Sequence, residues 1–286
     1  MASLKEIKGR IASVRNTLKI TSAMKLVASS KLRKAQNAIA GMLPYQKALQ
    51  DILENLLTES VAAGRFFAPV PEERPLKVAV VCFSSNSSLC GAFNSNVARK
   101  TLQVLRGHRA AGNEVTVYPV GKKIADAVRK AGFVPAGDYT GMSARPSYEP
   151  AAALAQELVQ GYIDGRFDVV ELVYNHFKST ASQPTVQETF LPMQDVSAGE
   201  GTGVDFIIEP SRQEQGELLL PKVLKLKIYT VLLDVAAAEH AARTVAMQVA
   251  TDNAEALLSD LNLEYNKGRQ QKITNEILDL VGGSIE

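Results

Sequence analysis

The chain has 286 residues, 46% of them apolar and 22% charged, enough for one or two packed domains and too evenly mixed for a disordered segment. Its 32 basic and 30 acidic side chains leave a formal charge of +2, so no global field marks a nucleic-acid binder or an enzyme for acidic substrates. Cys82 and Cys90 are the only cysteines, with no Cys-x-x-Cys and no histidine nearby, which fits a reducing compartment and disfavours a disulfide scaffold or zinc site.

The first residues, MASLKEIKGRIASV, lack the apolar core of a secretory signal. From Leu4 the apolar or small positions fall at Leu4, Ile7, Ile11, Val14, Leu18, Thr21, Lys25, Ala28, Leu32, Ala35, Ile39 and Met42, in alternating steps of three and four. This is a heptad seam interrupted by two polar residues, Thr21 and Lys25. It predicts one helix over residues 2–58, with a bend allowed at Gly41 to Pro44.

Residues 76–195 have a different texture. Leu76 to Ser84, Glu114 to Val120 and Asp168 to Phe177 read as buried β-branched strands, separated by helical patterns at Asn96 to Arg106, Lys122 to Ala131 and Ala151 to Ile163. Such alternation predicts right-handed βαβ units in a Rossmann-like α/β domain with a mostly parallel sheet. Pro184 to Met193 follows a short polar turn and reads as an antiparallel edge strand, and Ser197 to Val204 as an exposed loop. The longest uncharged stretch, Val78 to Ala98, is rich in Ser, Asn and Gly and makes a poor bilayer span.

A second long helix is predicted over residues 213–281 within a C-terminal segment 213–286. Ser211 and Glu214 form a plausible capping box, Pro221 can kink the first turns, and Gly282-Gly283 is read as the stop. Its seam is read as Val231, Val235, Ala238, Ala242, Val245, Val249, Asp252, Ala256, Ser259, Leu263, Asn266, Gln270, Ile273, Ile277 and Leu280. The N-terminal helix alone would reach about 85 Å, against a radius of gyration of about 14 Å for a domain the size of the middle segment. Each helix has one apolar stripe, so the simplest burial is a long antiparallel two-helix coiled coil formed by the chain's two ends.

Candidate chemistry is sparse. The loop SSNSSLCGAFNSNV follows the first strand, where nucleotide-binding folds keep a phosphate loop, but it lacks Gly-x-Gly-x-x-Gly and Gly-Lys-Ser/Thr. His108, His176 and His240 show no metal-ligand spacing and no adjacent nucleophile. No catalytic residue, metal site or cofactor is assigned. Charge is concentrated on the first helix: residues 1–50 carry Lys5, Lys8, Arg10, Arg15, Lys19, Lys25, Lys31, Arg33, Lys34 and Lys47 against the lone acid Glu6. Such a run is a solvated face, an RNA-binding arm or the complement of an acidic protein surface. One aromatic, Tyr45, is poor provision for base stacking. A basic coiled-coil RNA binder and a nucleotide-binding α/β enzyme with helical extensions stay open as alternatives.

The stretch Ile20-Thr21-Ser22-Ala23-Met24-Lys25-Leu26-Val27-Ala28, with Ser30-Lys31 and Ala35-Gln36 after it, resembles the N-terminal motif of F-type ATP synthase gamma subunits. At the other end, Ala246-Met247, Ala250-Thr251-Asp252-Asn253-Ala254, Tyr265-Asn266-Lys267, Arg269-Gln270, Ile273-Thr274, Glu276-Ile277 and Val281-Gly282-Gly283 resemble the C-terminal motif. Leu89-Cys90-Gly91 and Ser182-Gln183-Pro184 echo the family in the middle.

The resemblance implies a non-catalytic rotor shaft inside a ring of three alpha and three beta subunits, with its globular part on the membrane rotor ring of c subunits, beside epsilon. It implies stator contacts at Met24, Lys25, Lys31, Arg269, Gln270 and Thr274, and a bearing tip at Ile273, Ile277, Leu280 and Val281. It also suggests a rotor-ring or epsilon contact at Leu89, Cys90 and Gly91. A bacterial form at the cytoplasmic face of the cell membrane is favoured, because a chloroplast-type cysteine insertion and a transit peptide are missing. Two departures stand out. Asn86-Ser87-Ser88 replaces the usual Asp-Arg-Gly, and Gly268 replaces Ala, which weakens a helix by about 1 kcal/mol.

Overall fold

The computed structural model describes residues 3–56, 65–67, 70, 74–193, 209 and 211–283. Helix α1 spans Leu4–Leu56, followed by a 3-10 turn at Arg65–Phe67, β1 (Lys77–Phe83), α2 (Phe93–Ala110), β2 (Glu114–Val120), α3 (Lys122–Lys130), α4 (Thr140–Ala144), α5 (Tyr148–Ile163), β3 (Val169–Asn175), β4 (Thr185–Leu191) and α6 (Arg212–Gly283). Residues 2, 57 and 58 of the expected first helix, and the expected loop Ser197 to Val204, lie outside the described residues. The chain divides into two compact units, Met1–Ser29 with Arg243–Glu286, and Ser30–Ala242.

Both long helices start on serine caps. Ser3 Oγ accepts the Glu6 amide at 3.2 Å, and Ser211 Oγ accepts the Glu214 amide at 3.2 Å, each satisfying an amide that the first turn leaves without a carbonyl. Proline interrupts neither helix. Pro44 leaves the Ala40 carbonyl without its amide donor, but Ala40 is exposed, so water serves that carbonyl. The described span of α6 ends at Gly283, within the expected Gly282-Gly283 stop.

Within Ser30–Ala242 the sheet has the order β2-β1-β3-β4, with β1 parallel to both β2 and β3 and β4 antiparallel to β3. The parallel strands are apolar on both faces because helices cover both. On one face Val78, Val80, Cys82, Val117 and Val173 pack on α2 and α3 through Val97, Leu105, Ile124 and Val128. On the other, Val81, Phe83, Val120, Leu172 and Tyr174 pack on α5 through Leu154 and Leu158, and on α6 through Leu224, Ile228, Leu232 and Val235. The early part of α6 is thus a layer of the α/β sandwich as well as a partner of α1.

The register expected for α6 was wrong, while that for α1 holds. Ile7, Thr21, Ala28, Leu32 and Ala35 are buried. On α6, Ala237 and Ala241 pack with Leu32 and Ala35, and the later buried positions are Met247, Thr251, Ala254 and Leu261. Val231, Val235 and Ala238 instead face the sheet, and Val245, Val249, Leu263, Ile273, Ile277 and Leu280 are 40–75% exposed. The helix carries two apolar stripes, and periodicity alone cannot say which one meets α1. Contacts confirm an antiparallel pairing in each unit: Leu53 meets Leu220 in one, and Leu4 meets Gly268 while Thr21 meets Thr251 in the other.

A bidentate pair anchors the N-terminal edge of the sheet. Arg74 Nη2 and Nη1 donate to the two carboxylate oxygens of Asp168 at 2.6 and 3.1 Å, and the Lys77 amide donates to Oδ2 at 2.8 Å. Burial would raise the Asp168 carboxyl, but the Lys77 amide and the Arg74 guanidinium outweigh it and hold it below the usual carboxylate range. A depressed folded-state pKa gives stability that is present above the unfolded value and lost as pH falls through the folded one. Asp168→Asn is therefore expected to lower stability by about 1–2 kcal/mol at neutral pH, Arg74 being half-exposed. In urea titrations the gap to wild type should close as acid protonates Asp168; a gap independent of pH would contradict this assignment.

Candidate functional site

In the unit built from Met1–Ser29 and Arg243–Glu286, the predicted interruption of the α1 seam is a polar layer. Thr251 Oγ1 lies 3.0 Å from Thr21 Oγ1 and 2.8 Å from the Met247 carbonyl, while Thr21 Oγ1 donates to the Leu18 carbonyl at 3.1 Å. One turn on, Lys25 Nζ donates to Gln248 Oε1 at 2.9 Å, and Gln248 Nε2 donates to Asp252 Oδ1 at 2.6 Å. Lys25 is thus held at the rim of the seam with its ammonium positioned by a neutral acceptor, half-exposed like Met24 beside it. Lys31, on the part of α1 that belongs to the other unit, is exposed.

Thr21 and Thr251 each keep a carbonyl partner if the other is lost, so Thr21→Val and Thr251→Val are each expected to cost about 0.5–1.5 kcal/mol. The double variant removes both hydroxyls and should cost less than the sum, with a coupling of about 1 kcal/mol in a double-mutant cycle of denaturation midpoints. Simple additivity would mean that the two hydroxyls do not act as a pair.

Toward its C-terminus α6 outlasts α1. Gly268 packs against the start of α1, where a Cβ would lie 3.1 Å from Leu4 Cδ2, and Gln271, Lys272 and Asn275 share an open cleft with Ser3, Leu4, Lys5 and Ile7. Glycine at this position admits Leu4, and that is the structural counterpart of its lower helix propensity. Beyond it every described side chain from Arg269 to Leu280 is exposed. Arg269, Gln270 and Thr274 share this exposed segment, Thr274 Oγ1 capping the Gln270 carbonyl at 2.9 Å. Ile273, Ile277 and Leu280 fall at helical spacing on one face, 47, 55 and 75% exposed. Val281 is helical, and its side chain lies outside the described residues.

In the sheet unit, the loop after β1 is closed by its own hydrogen bonds. Asn86 Oδ1 accepts the Lys122 amide at 2.8 Å, and its Nδ2 donates to the Thr140 carbonyl at 2.8 Å. Asn94 Oδ1 takes the Ser85 amide and hydroxyl at 3.1 and 3.0 Å, and Asn94 Nδ2 reaches the Ser87 carbonyl at 3.1 Å. The atypical Asn86 thereby ties β1 to the start of α3 and to α4, a role that sequence reasoning missed because its partners are distant in sequence. Leu89 adopts φ 65° and is 60% exposed, Gly91 is exposed, and Cys90 is buried with Asn94 Nδ2 3.1 Å from its Sγ. Neither Cys82 nor Cys90 is in a disulfide, and burial pushes the Cys82 thiol far up.

Open α/β folds bind ligands beyond the carboxyl ends of their strands. Here the cleft lined by Phe83, Ser84, Val120, Ser143, Leu232, Val235, Ala236 and Glu239 has no room for a water-sized sphere. A nucleotide at that point would have to displace α6. His108 and His176 are engaged elsewhere, with Glu171 at 3.1 Å and Asp234 at 2.7 Å. Among the described residues no helix is long and apolar enough to cross a membrane.

The sequence matches the family described as ATP synthase over residues 3–285. It is 53% identical to the ATP synthase gamma chains of Phocaeicola vulgatus and Bacteroides fragilis, covering 100% of each chain. With that of Flavobacterium johnsoniae it shares 43%, over 99% of this chain and 98% of the other. Among solved structures, a chain of the Euglena gracilis mitochondrial ATP synthase in an assembly of OSCP, F1 and c-ring superposes with TM-score 0.64 at 19% identity, covering 99% of this chain and 93% of that one. A chain of the Tetrahymena thermophila central stalk and c-ring gives 0.57 at 24% identity, over 81% and 99%. Its long paired helices, its mixed sheet and its end-to-end match to gamma chains place this protein in the ATP synthase gamma chain family.

Proposed function

We propose that this chain is the central rotor shaft of an F-type ATP synthase, passing rotation between an ion-driven membrane ring and the catalytic sites of beta subunits while doing no chemistry itself. The observation that carries this reading is the second apolar stripe of α6. Val245, Val249, Leu263, Ile273, Ile277 and Leu280 stand exposed in the free chain, a pattern that marks a surface awaiting a protein partner. With the excess of lysine and arginine on α1, that stripe suits an encircling head of alpha and beta subunits.

In this reading residues 1–58 and 213–286 form the shaft and 76–195 the base. Met24, Lys25, Lys31, Arg269, Gln270 and Thr274 meet the stator, and Ile273, Ile277, Leu280 and Val281 turn in an apolar bearing. Leu89 and Gly91 offer surface to the c-ring or epsilon, Cys90 supporting them from inside. The assembly site is the cytoplasmic face of the membrane, reached through other subunits.

Exposed ion pairs are worth about 0–1 kcal/mol each, too little for Lys25 or Lys31 to carry the work as single salt bridges. The shaft therefore acts as a cam, its asymmetric bulk biasing the beta subunits among their conformations. A tagged chain should co-purify with alpha and beta subunits at one copy to three of each, and failure to do so would remove the assignment. The Lys25→Ala plus Lys31→Ala variant should still rotate; an assembled complex that no longer did would refute the cam.

A further inference from the structure

We propose that Asp234 and Lys227 of α6 form a two-point polar clamp that fixes the rotation and axial position of this helix on the sheet, and so bear the torque that enters or leaves the base. The proposal rests on the rotor reading above. Asp234 accepts twice: His176 Nδ1 lies 2.7 Å from Oδ2, and the Phe177 amide donates to Oδ1 at 3.0 Å. Both donors follow the end of β3, where the His176 amide is itself held by the Pro184 carbonyl at 2.9 Å. Lys227 Nζ reaches Glu188 of β4 at 3.1 Å to Oε1 and 3.2 Å to Oε2, and Glu188 is also hydrogen-bonded by Tyr174 of β3. Lys227 and Asp234 are seven residues apart, two turns on one helix face, so their grips sit about 10 Å apart along the axis.

Apolar packing alone does not supply this resistance. It opposes separation of α6 from the sheet and any large turn that would expose Leu224, Ile228 and Leu232, but it is non-directional and resists small turns and slides less sharply than directional contacts do. The helix surface is smooth just past the clamp, where Ala236, Ala237, Ala238 and Ala241 offer few side-chain ridges to catch in the grooves of neighbouring elements. Charge-assisted hydrogen bonds are directional and fail when the helix turns by a fraction of a residue. Tyr229, two residues beyond Lys227, adds an edge-on contact with Tyr148 of α5 at 5.8 Å between ring centroids.

The test uses the whole ATP synthase in sealed vesicles, comparing ATP hydrolysed with ions pumped, first without and then against an imposed ion gradient. Asp234→Ala and His176→Ala should assemble and hydrolyse ATP like wild type without load. Against the gradient they should slip, hydrolysing without pumping, with a slip frequency raised by about tenfold, the factor that a lost charge-assisted contact of about 1.4 kcal/mol gives on a barrier. His176→Gln, which still presents an N–H donor, should restore much of the tightness, and Asp234→Asn, which keeps an acceptor for Phe177, should fall between. If Asp234→Ala does not assemble, the His176 pair and Asp234→Asn decide. Unchanged coupling under load in every assembled variant, including Lys227→Ala with His176→Ala, would overturn the clamp. A wild-type complex whose pumping does not require this chain would instead overturn the rotor reading.

Discussion

Gly121→Ala is expected to destabilise the sheet unit by about 4 kcal/mol, among the largest effects of any single methyl group. Gly121 joins β2 to α3 with φ 111° and ψ 145°, in a region open essentially only to glycine and costing an L-residue about 1–3 kcal/mol. Strain is the smaller part of the effect. A Cβ there would lie 2.2 Å from the Ser84 carbonyl oxygen and 2.8 Å from Ser84 Oγ, so the end of β1 would have to move. Ser84 joins three neighbours: its amide donates to the Val120 carbonyl at 2.8 Å, its hydroxyl accepts the Ile124 amide at 2.9 Å, and its carbonyl accepts from Ser143 at 2.7 Å. Displacing it unpairs buried groups in three elements at once. Gly112→Ala is the control. Gly112 has φ 79° but open space around it, so strain alone should cost about 1 kcal/mol there. Equal losses at the two positions, measured by urea denaturation, would show that the contact with Ser84 is not the source.

How far the sequence could be read depended on how many faces each segment had to satisfy. The three parallel strands stood out because β-branched residues run through segments that are largely buried on both sides, whereas β4, mostly half-buried, was marked as an edge strand by the polar turn before it. The α1 seam was legible because α1 has one partner, α6, over most of its length, and its apolar and small residues trace one line from Leu4 to Met42. Helix α6 defeated the same procedure. It packs on the sheet through Leu224, Ile228 and Val235, on α1 through Ala237 and Ala241, and it also presents exposed Val245, Val249 and Leu263. Counting steps of three and four led through Val245, Val249, Leu263 and Ile273, whereas the buried line past Ala241 runs through Met247, Thr251, Ala254 and Leu261. The polar layer at Thr21 was visible as an interruption, but its partner Thr251 was not, because the register of α6 had been misread. Asn86, Ser84 and Asp234 act through partners far away in sequence, and nothing in their local pattern announces that.

The divided role of α6 sets up a sharp contrast between two apolar truncations on the same helix. Leu232 is 1% exposed and packs with Phe83, Val120 and Val235 where the strand ends close. Leu232→Ala should cost about 3–5 kcal/mol, the transfer of the side chain plus a cavity that rigid strands on one side and α6 on the other cannot collapse to fill. Val245 and Val249, a few turns later, are 40 and 53% exposed, and Val245→Ser with Val249→Ser should change the stability of the free chain by less than about 0.5 kcal/mol each. Their effect should emerge on association: polar groups buried without partners against the head cost about 1–3 kcal/mol each, enough to weaken assembly roughly tenfold or more. Urea titration of the isolated chain and competition of the two variants against wild type for limiting alpha and beta subunits separate the two roles. A large loss of chain stability for the valine pair would mean that those residues serve the fold of the monomer. Undiminished competition would mean that the outer stripe is not the face the head encloses.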